Sequence, residues 1–213
     1  VTKRANWAVT THDWSKDVDA DHLAQIRHHA DHYGAGGRRH MILEVLAYAN
    51  DEAESNGHVG RAVVTANADG TLTVTDDGRG TDTRLDSDGS IIRKPVMATR
   101  DVRFFDVSDG PRLPDGLPRH GMSAVAALCT VLVHENHRAD GAWSQTYRRG
   151  VPDEELREMH AARATGTSVT FRPDASVRGP RSLTEDDLRA FRWLGVQSRE
   201  AAESTEGRDG RVI

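Results

Sequence analysis

The sequence predicts one α/β or α+β domain, and three observations carry that prediction. A chain of 213 residues with 37% hydrophobic content can bury one sizeable core but not two full ones. Between Arg38 and Ser55, apolar residues recur at the spacing of a helix face. Around a long Gly- and Pro-rich stretch, β-branched runs bounded by turn formers read as strands.

Residues 1–19 are polar and carry Trp7 and Trp14. They form an arm that either straps its own domain or reaches a second copy, which makes a homodimer one expectation. From Asp21 a helical pattern runs through Leu23 and Ile26 until the stretch Gly34 to Gly37 breaks it. In the strongest helix, Met41, Ile42, Val45, Leu46 and Ala49 form the core-facing stripe, and Glu44, Tyr48, Asp51, Glu52 and Ser55 share the neighbouring face. That acidic face reads either as a catalytic helix or as a solvated one. Arg61 to Asn67 and Thr71 to Thr75 are two strands joined by an Asp-Gly turn. Thr81 to Pro118 is rich in Gly, Pro, Asp and Arg, with apolar pieces only at Pro95 to Met97 and Phe104-Phe105, and it is expected to be a functional loop, a lid or mobile. "HGMSAVAALCTVLVHE" begins as a small-residue helix and passes into a strand, and "AWSQTYRRG" and "TGTSVTFRP" are further strands. Ser182 or Thr184 caps a helix within Arg181 to Val196 that Glu185 or Asp186 begins. The domain is placed at 20–197, and the polar tail 198–213 is expected to fray.

Composition narrows the function classes. A net charge of −5 gives no whole-chain footprint for nucleic acid, so no direct nucleic-acid partner is expected. One cysteine, Cys129, cannot form an internal disulfide, and no apolar run has the length of a signal peptide or a membrane span. The expectation is a cytoplasmic protein with no membrane partner. His28 and His32 stand four apart as helix ligands would, but no carboxylate or cysteine completes a set, and no metal site is assigned.

The acidic helix, the hairpin ending "LTVTDDGRGTDT", the loop, "GLPRHGMSAVAAL" and "ATGTSVTFRP" together resemble the amino-terminal ATPase domain of gyrase B and topoisomerase IV, within the GHKL superfamily. The similarity runs from about Asp21 to about Val196. It implies an α+β two-layer sandwich, a mixed and mostly antiparallel sheet with helices on one face. It also implies roles. Glu44 matches the general base that polarises the water attacking the γ-phosphate. Asp76 matches the acceptor of the adenine amino group, supported by Thr167. Gly78 and Gly80 would let the backbone approach base and sugar, and Glu52 and Arg79 would pair beneath the nucleotide. Gly116, Arg119, His120 and Gly121 fall on the phosphate loop, and Asp51 and Met97 complete the candidate ligand-binding set.

Departures from the family pattern are concentrated at the metal and the phosphates. Tyr48 stands where the family has an Mg²⁺-binding asparagine; a neutral phenol is a poor ligand for a hard cation. Asn50, two residues on, is rotated by about 200° and does not replace it. "GLPRHG" stands in place of GLHGVG, so Pro118 removes an N–H and Arg119 replaces a glycine; Arg119 and His120 could supply charge to an anion instead. The Gly-rich lid sequence is missing, and Asp82 occupies the usual proline position. The expected function is therefore a pocket for a small-molecule ligand, adenine-like or otherwise planar, without efficient Mg-ATP hydrolysis and, lacking the later gyrase domains, without topoisomerase activity. ATP or ADP is a candidate ligand and Mg²⁺ is not expected. Four alternatives stand beside it: a functional or weak ATPase module, a biosynthetic enzyme using Glu44 and Asp76 for acid-base chemistry, a protein that sequesters gyrase inhibitors, and a structural partner dimerising through its arm.

Overall fold

The computed structural model describes residues 11–105, 110–153, 156–160 and 164–200. In chain order its elements are α1 (Ala20–His28), α2 (Ala30–Tyr33), α3 (Gly37–Asn56), β1 (Gly60–Ala66), β2 (Leu72–Asp76), β3 (Thr83–Leu85), β4 (Ile91–Arg93), α4 (Met122–Ala127), β5 (Cys129–Arg138), β6 (Gly141–Arg148), β7 (Val151–Pro152), β8 (Arg157–Met159), β9 (Gly166–Pro173), α5 (Glu185–Arg189) and β10 (Leu194–Glu200). Eight strands form one sheet in the order β10-β1-β2-β9-β5-β6-β7, with β8 also paired to β6. Among these pairings, only β1 and β10 run parallel. Helix α3 lies against β1, β2 and β10, and α4 against β5 and β6, which gives the two-layer α+β sandwich.

Strand alternation explains where the core sits. Successive side chains point to opposite faces, so a buried rung repeats every second residue. Leu72 pairs with Phe171, Phe171 with Leu132, and Leu132 with Tyr147; all four are buried, and they make one continuous apolar rung across β2, β9, β5 and β6. The stripe of α3 covers that rung with Ile42 and Leu46, both fully buried. Gly57, at φ 69°, ends α3 in the left-handed conformation and donates its N–H to the carbonyls of Ala53 and Glu54.

The structure revises several sequence expectations. The stretch from Thr81 to Pro118, expected to be a functional loop, a lid or mobile, contains the β3–β4 hairpin and sends Val96, Met97 and Ala98 into the core. The helix expected within 181–196 begins at Glu185 but is only a single turn and a half, capped by Thr184 through a capping box with Asp187 and clamped to α3 by the pair Arg39 to Asp187 at 2.7 Å. From Leu194 the chain is β10, where Leu194 and Val196 alternate with exposed residues beside β1. Ser198, Arg199 and Glu200 belong to that strand and are not a frayed tail. Of the arm, Trp7 lies outside the described residues. Residues 11–19 strap their own domain: Val102 donates to the Thr11 carbonyl at 3.1 Å, Asp19 to the Ala98 carbonyl at 2.8 Å, and the Arg84 guanidinium covers the Trp14 ring at 4.0 Å. His28 and His32 fall on separate helices, because α1 stops at His28. Among the described residues, no helix is long and apolar enough to cross a membrane.

Phe171 is the centre of the apolar rung. Phe171→Ala is expected to lower unfolding free energy by about 3–5 kcal/mol, whereas Val59→Ser, at 68% exposure, should change it by less than about 0.5 kcal/mol. Equilibrium urea unfolding of the two variants checks both.

Candidate functional site

The same alternation that builds the core also builds the first part of the site. One rung beyond the apolar residues of the inner face, Ala62 opposes Asp76, Asn136 opposes Thr167, and Asn136 opposes Trp143. A buried polar group is tolerated only when hydrogen-bonded, and Asp76, Thr167 and Asn136 all are. Thr167 donates its hydroxyl to Asp76 Oδ2 and its N–H to Oδ1 at 3.4 Å, and the Gly78 N–H reaches Oδ1 at 2.9 Å. Burial raises the Asp76 pKa and these donors oppose it. Gly166, at φ 142°, makes the contact possible: a Cβ there would lie 2.0 Å from the Asp76 carbonyl oxygen. Below this pair, Asn136 Oδ1 accepts the Thr81 N–H at 2.6 Å and its amide returns a bond to the Thr81 carbonyl at 3.2 Å. The room that a Cβ at Gly80 would need is taken by Asn136 Oδ1 and the His137 carbonyl, both at 2.7 Å.

Helix α3 presents the acidic face toward two different neighbourhoods. Tyr48 packs, half-buried, against the core; burial raises its phenol pKa, the Thr81 hydroxyl opposes that, and the carboxylates of Glu52, Asp76 and Asp82 are its electrostatic neighbours. Glu52 pairs with Arg79. One turn before Tyr48, Glu44 is almost fully buried and accepts the N–H groups of His120, through Oε1, and Gly121, through Oε2 at 3.2 Å. His40 Nε2 stands 3.6 Å from Glu44 Oε1, and its Nδ1 bonds Asp115 at 2.7 Å. Burial disfavours the charged His40 ring, but the two carboxylates outweigh it and raise its pKa.

A second network closes the opposite end. Arg119 donates to both oxygens of Asp51, at 3.2 and 3.0 Å, and its Nε lies 3.8 Å from Glu44. Arg103 bonds the same Asp51 at 2.9 Å and Asp101 at 2.7 Å. The Phe104 ring lies against both guanidiniums, at 4.7 Å from Arg103 and 4.4 Å from Arg119. Burial alone would raise the Asp101 pKa; hydrogen bonds from His12 and Arg103 outweigh it and hold the carboxyl below the usual range.

The structure thus brings together Asp76, Gly78 and Thr167; Glu52 and Arg79; and Glu44, Asp51, Arg119, His120 and Gly121. Two further predicted residues have structural settings of their own. Met97 is fully buried in the core cluster, and Gly116, at φ 82°, closes a turn by donating to the Leu113 carbonyl. Asn50 accepts the Trp193 N–H at 2.9 Å, away from the acidic face, as its helical rotation predicts. Sequence reasoning missed His40, Asn136, Asp101 and Arg103. His40 was within reach, one helical turn before Glu44; nothing in the sequence marks the pairing of Arg103 with Asp51 or of Asn136 with Thr81, 52 and 55 residues away.

Comparison with known proteins agrees with this architecture. The chain is 30% identical over 188 residues to the gyrase B protein of Streptomyces coelicolor, covering 83% of this chain and 27% of that protein. It is 33% identical over 145 residues to the novobiocin-sensitive gyrase B protein of Streptomyces niveus, and 30% over 142 residues to the B protein of DNA topoisomerase 4 from Staphylococcus epidermidis, covering 68% and 66% of this chain and 21% of each relative. The chain therefore spans about a fifth to a quarter of the relatives it matches. In fold it superposes on the topoisomerase IV ATP-binding domain of Francisella tularensis, solved with a small-molecule inhibitor, with a TM-score of 0.56 and 20% identity over 76% of this chain and 45% of that one. No protein-family model matches the chain.

Burial depresses the pKa of His120 to about 4 and of His134 to about 3. In the unfolded chain both titrate near 6.5, so their contribution to stability is full above that pH and is lost as pH falls from it toward the folded values. His40 runs in the opposite sense. Ring titrations by NMR are expected to find His120 and His134 neutral at pH 5.5 and His40 titrating above 6.5; a charged His134 at pH 5.5 contradicts the buried environment.

Proposed function

Because the chain carries a gyrase-B-like, GHKL-type domain, we propose that it binds an adenine-like or other planar heterocycle at Asp76 and does not turn over Mg-ATP efficiently. One observation supports this reading: Asp76 and Thr167 are hydrogen-bonded to each other, whereas the loop amides of His120 and Gly121 that would face phosphate are already bonded to Glu44. A carboxylate has about four acceptor positions. Asp76 uses three of them on Thr167 and Gly78, which leaves capacity for the exocyclic amine of a heterocycle.

The residues at the other end do not fit the divalent ion that such domains take with ATP. Tyr48 replaces the family's amide ligand, Asn50 is engaged with Trp193, and Asp51 is neutralised by Arg103 and Arg119. For Glu44 to activate water it would have to leave both N–H donors and the nearby guanidinium. Breaking a buried charged contact costs about 1.5–3 kcal/mol per hydrogen bond, which disfavours triphosphate chemistry on this framework. A gyrase-inhibitor-type ligand is a second candidate, because the related Francisella domain carries a small-molecule inhibitor and the Streptomyces niveus relative is named for its novobiocin sensitivity.

Thermal unfolding in the presence of adenosine, ADP or novobiocin tests the reading. At least one is expected to raise the melting temperature without Mg²⁺, and Asp76→Asn is expected to remove that shift. Mg²⁺-dependent stabilisation by a non-hydrolysable ATP analogue, together with steady phosphate release from ATP, would falsify it. Tyr48→Asn, which restores the family's residue, is expected to tighten Mg-ADP binding by about tenfold, ~1.4 kcal/mol, as read by calorimetry.

A further inference from the structure

Lysine is rare in this chain. Of its 28 lysines and arginines only three are lysine, and Lys94 is the single lysine beyond residue 16. The distinction is chemical: a guanidinium stays protonated in a protein, whereas a desolvated alkylamine can lose its proton and act as a nucleophile. Lys94 directly follows β4. Its N–H donates to the Asp82 carbonyl at 3.0 Å, and its own carbonyl accepts the Val96 N–H at 2.8 Å, so the backbone that carries the amine is held on both sides.

The side chain is half-buried, and among the described residues it makes no hydrogen bond and no ion pair. Its electrostatic neighbours are Asp82, Arg103, Asp101 and Glu52. All three carboxylates are engaged by other cations: Glu52 by Arg79, Asp82 by Arg138 at 3.4 Å, and Asp101 by Arg103 at 2.7 Å. Glu52 and Asp82 are also neighbours of the Tyr48 phenol, which places the amine on the Tyr48 side of the site. Burial pushes the Lys94 amine below the ordinary lysine range and the Arg103 guanidinium adds to that, while the carboxylates oppose it. Desolvation beside a second cation is a setting that makes lysine an effective nucleophile.

We propose that Lys94 is a covalent attachment site for small aldehydes, with which its amine condenses to an imine. The amine nitrogen attacks the carbonyl carbon, the carbonyl oxygen takes both amine protons, and that oxygen leaves as water as the C=N bond forms. Occupancy of Asp76 is not required for this chemistry. Labelling with isonicotinaldehyde and cyanoborohydride, which reduces the imine to a stable secondary amine, tests it by peptide mass spectrometry between pH 6 and pH 9. At pH 7 Lys94 is expected to be labelled at least fivefold faster than the exposed Lys16. Lys94→Arg should lose that label and keep the melting temperature. Arg103→Gln, with its fold checked by circular dichroism, should slow labelling of Lys94 at pH 7 at least threefold and move its pH profile upward, with Lys16 unchanged; a merely structural role would not move that profile. Asp76→Asn should leave the labelling of Lys94 as it is, which separates the amine from the heterocycle seat. The proposal is overturned if Lys94 is labelled no faster than Lys16, or if folded Arg103→Gln labels at Lys94 as fast as the wild-type protein at pH 7.

Discussion

The buried carboxylate of Glu44 ties the two halves of the site together. It sits on α3, inside the helical layer, yet its partners are backbone N–H groups of the loop that leads into α4. An ionised group taken out of water needs donors at close range, and at this depth main-chain amides and His40 supply them. The loop conformation, including Gly121 at φ 80°, is therefore coupled to the charge of one side chain. Anything that lengthens the contact frees two amides and unbalances His40 and Asp115 at the same time.

The sheet imposes the other constraint. Its register sets apolar and polar rungs side by side on one face, so Asp76 and Thr167 are aligned by the pairing that aligns Leu72 with Phe171. A slip of one residue would turn every one of those side chains to the opposite face. The position of Asp76 is thus held by the hydrophobic core and not by the short connection around Gly78.

Much of this was legible in the sequence because the signals were local. The stripe of α3 from Met41 to Ala49, the Asp-Gly hairpin, the Thr184 cap and the strands around Leu132, Tyr147 and Phe171 all rest on spacing within a single element. The acidic face of α3 was legible too, but not how its residues divide: Tyr48 turns toward Thr81 and Asp82, while Glu44 and Asp51 turn toward Arg119. That division depends on partners far along the chain, and periodicity has no means of expressing it. Residues 181–196 misled for a related reason. Helix-forming Leu188 and Ala190 precede Leu194 and Val196, whose conformation is set by β1 and not by their own neighbours. The stretch around Arg103 reads as loop and lies in no helix or strand; what no local pattern marks is that Arg103, besides its neighbour Asp101, pairs with Asp51 on α3.

The parallel pairing of β10 with β1 bears on how the chain is made. Gly60 aligns with Leu194 and Ala66 with Glu200, so more than half the polypeptide separates the two strands. On a ribosome, β1 and β2 can zip together early, but the outer edge of β1 stays open until residue 200 emerges. Contacts of such long sequence separation form late. An uncovered strand edge invites pairing with another nascent chain. Assembly of this domain is accordingly most vulnerable to crowding just before synthesis of β10.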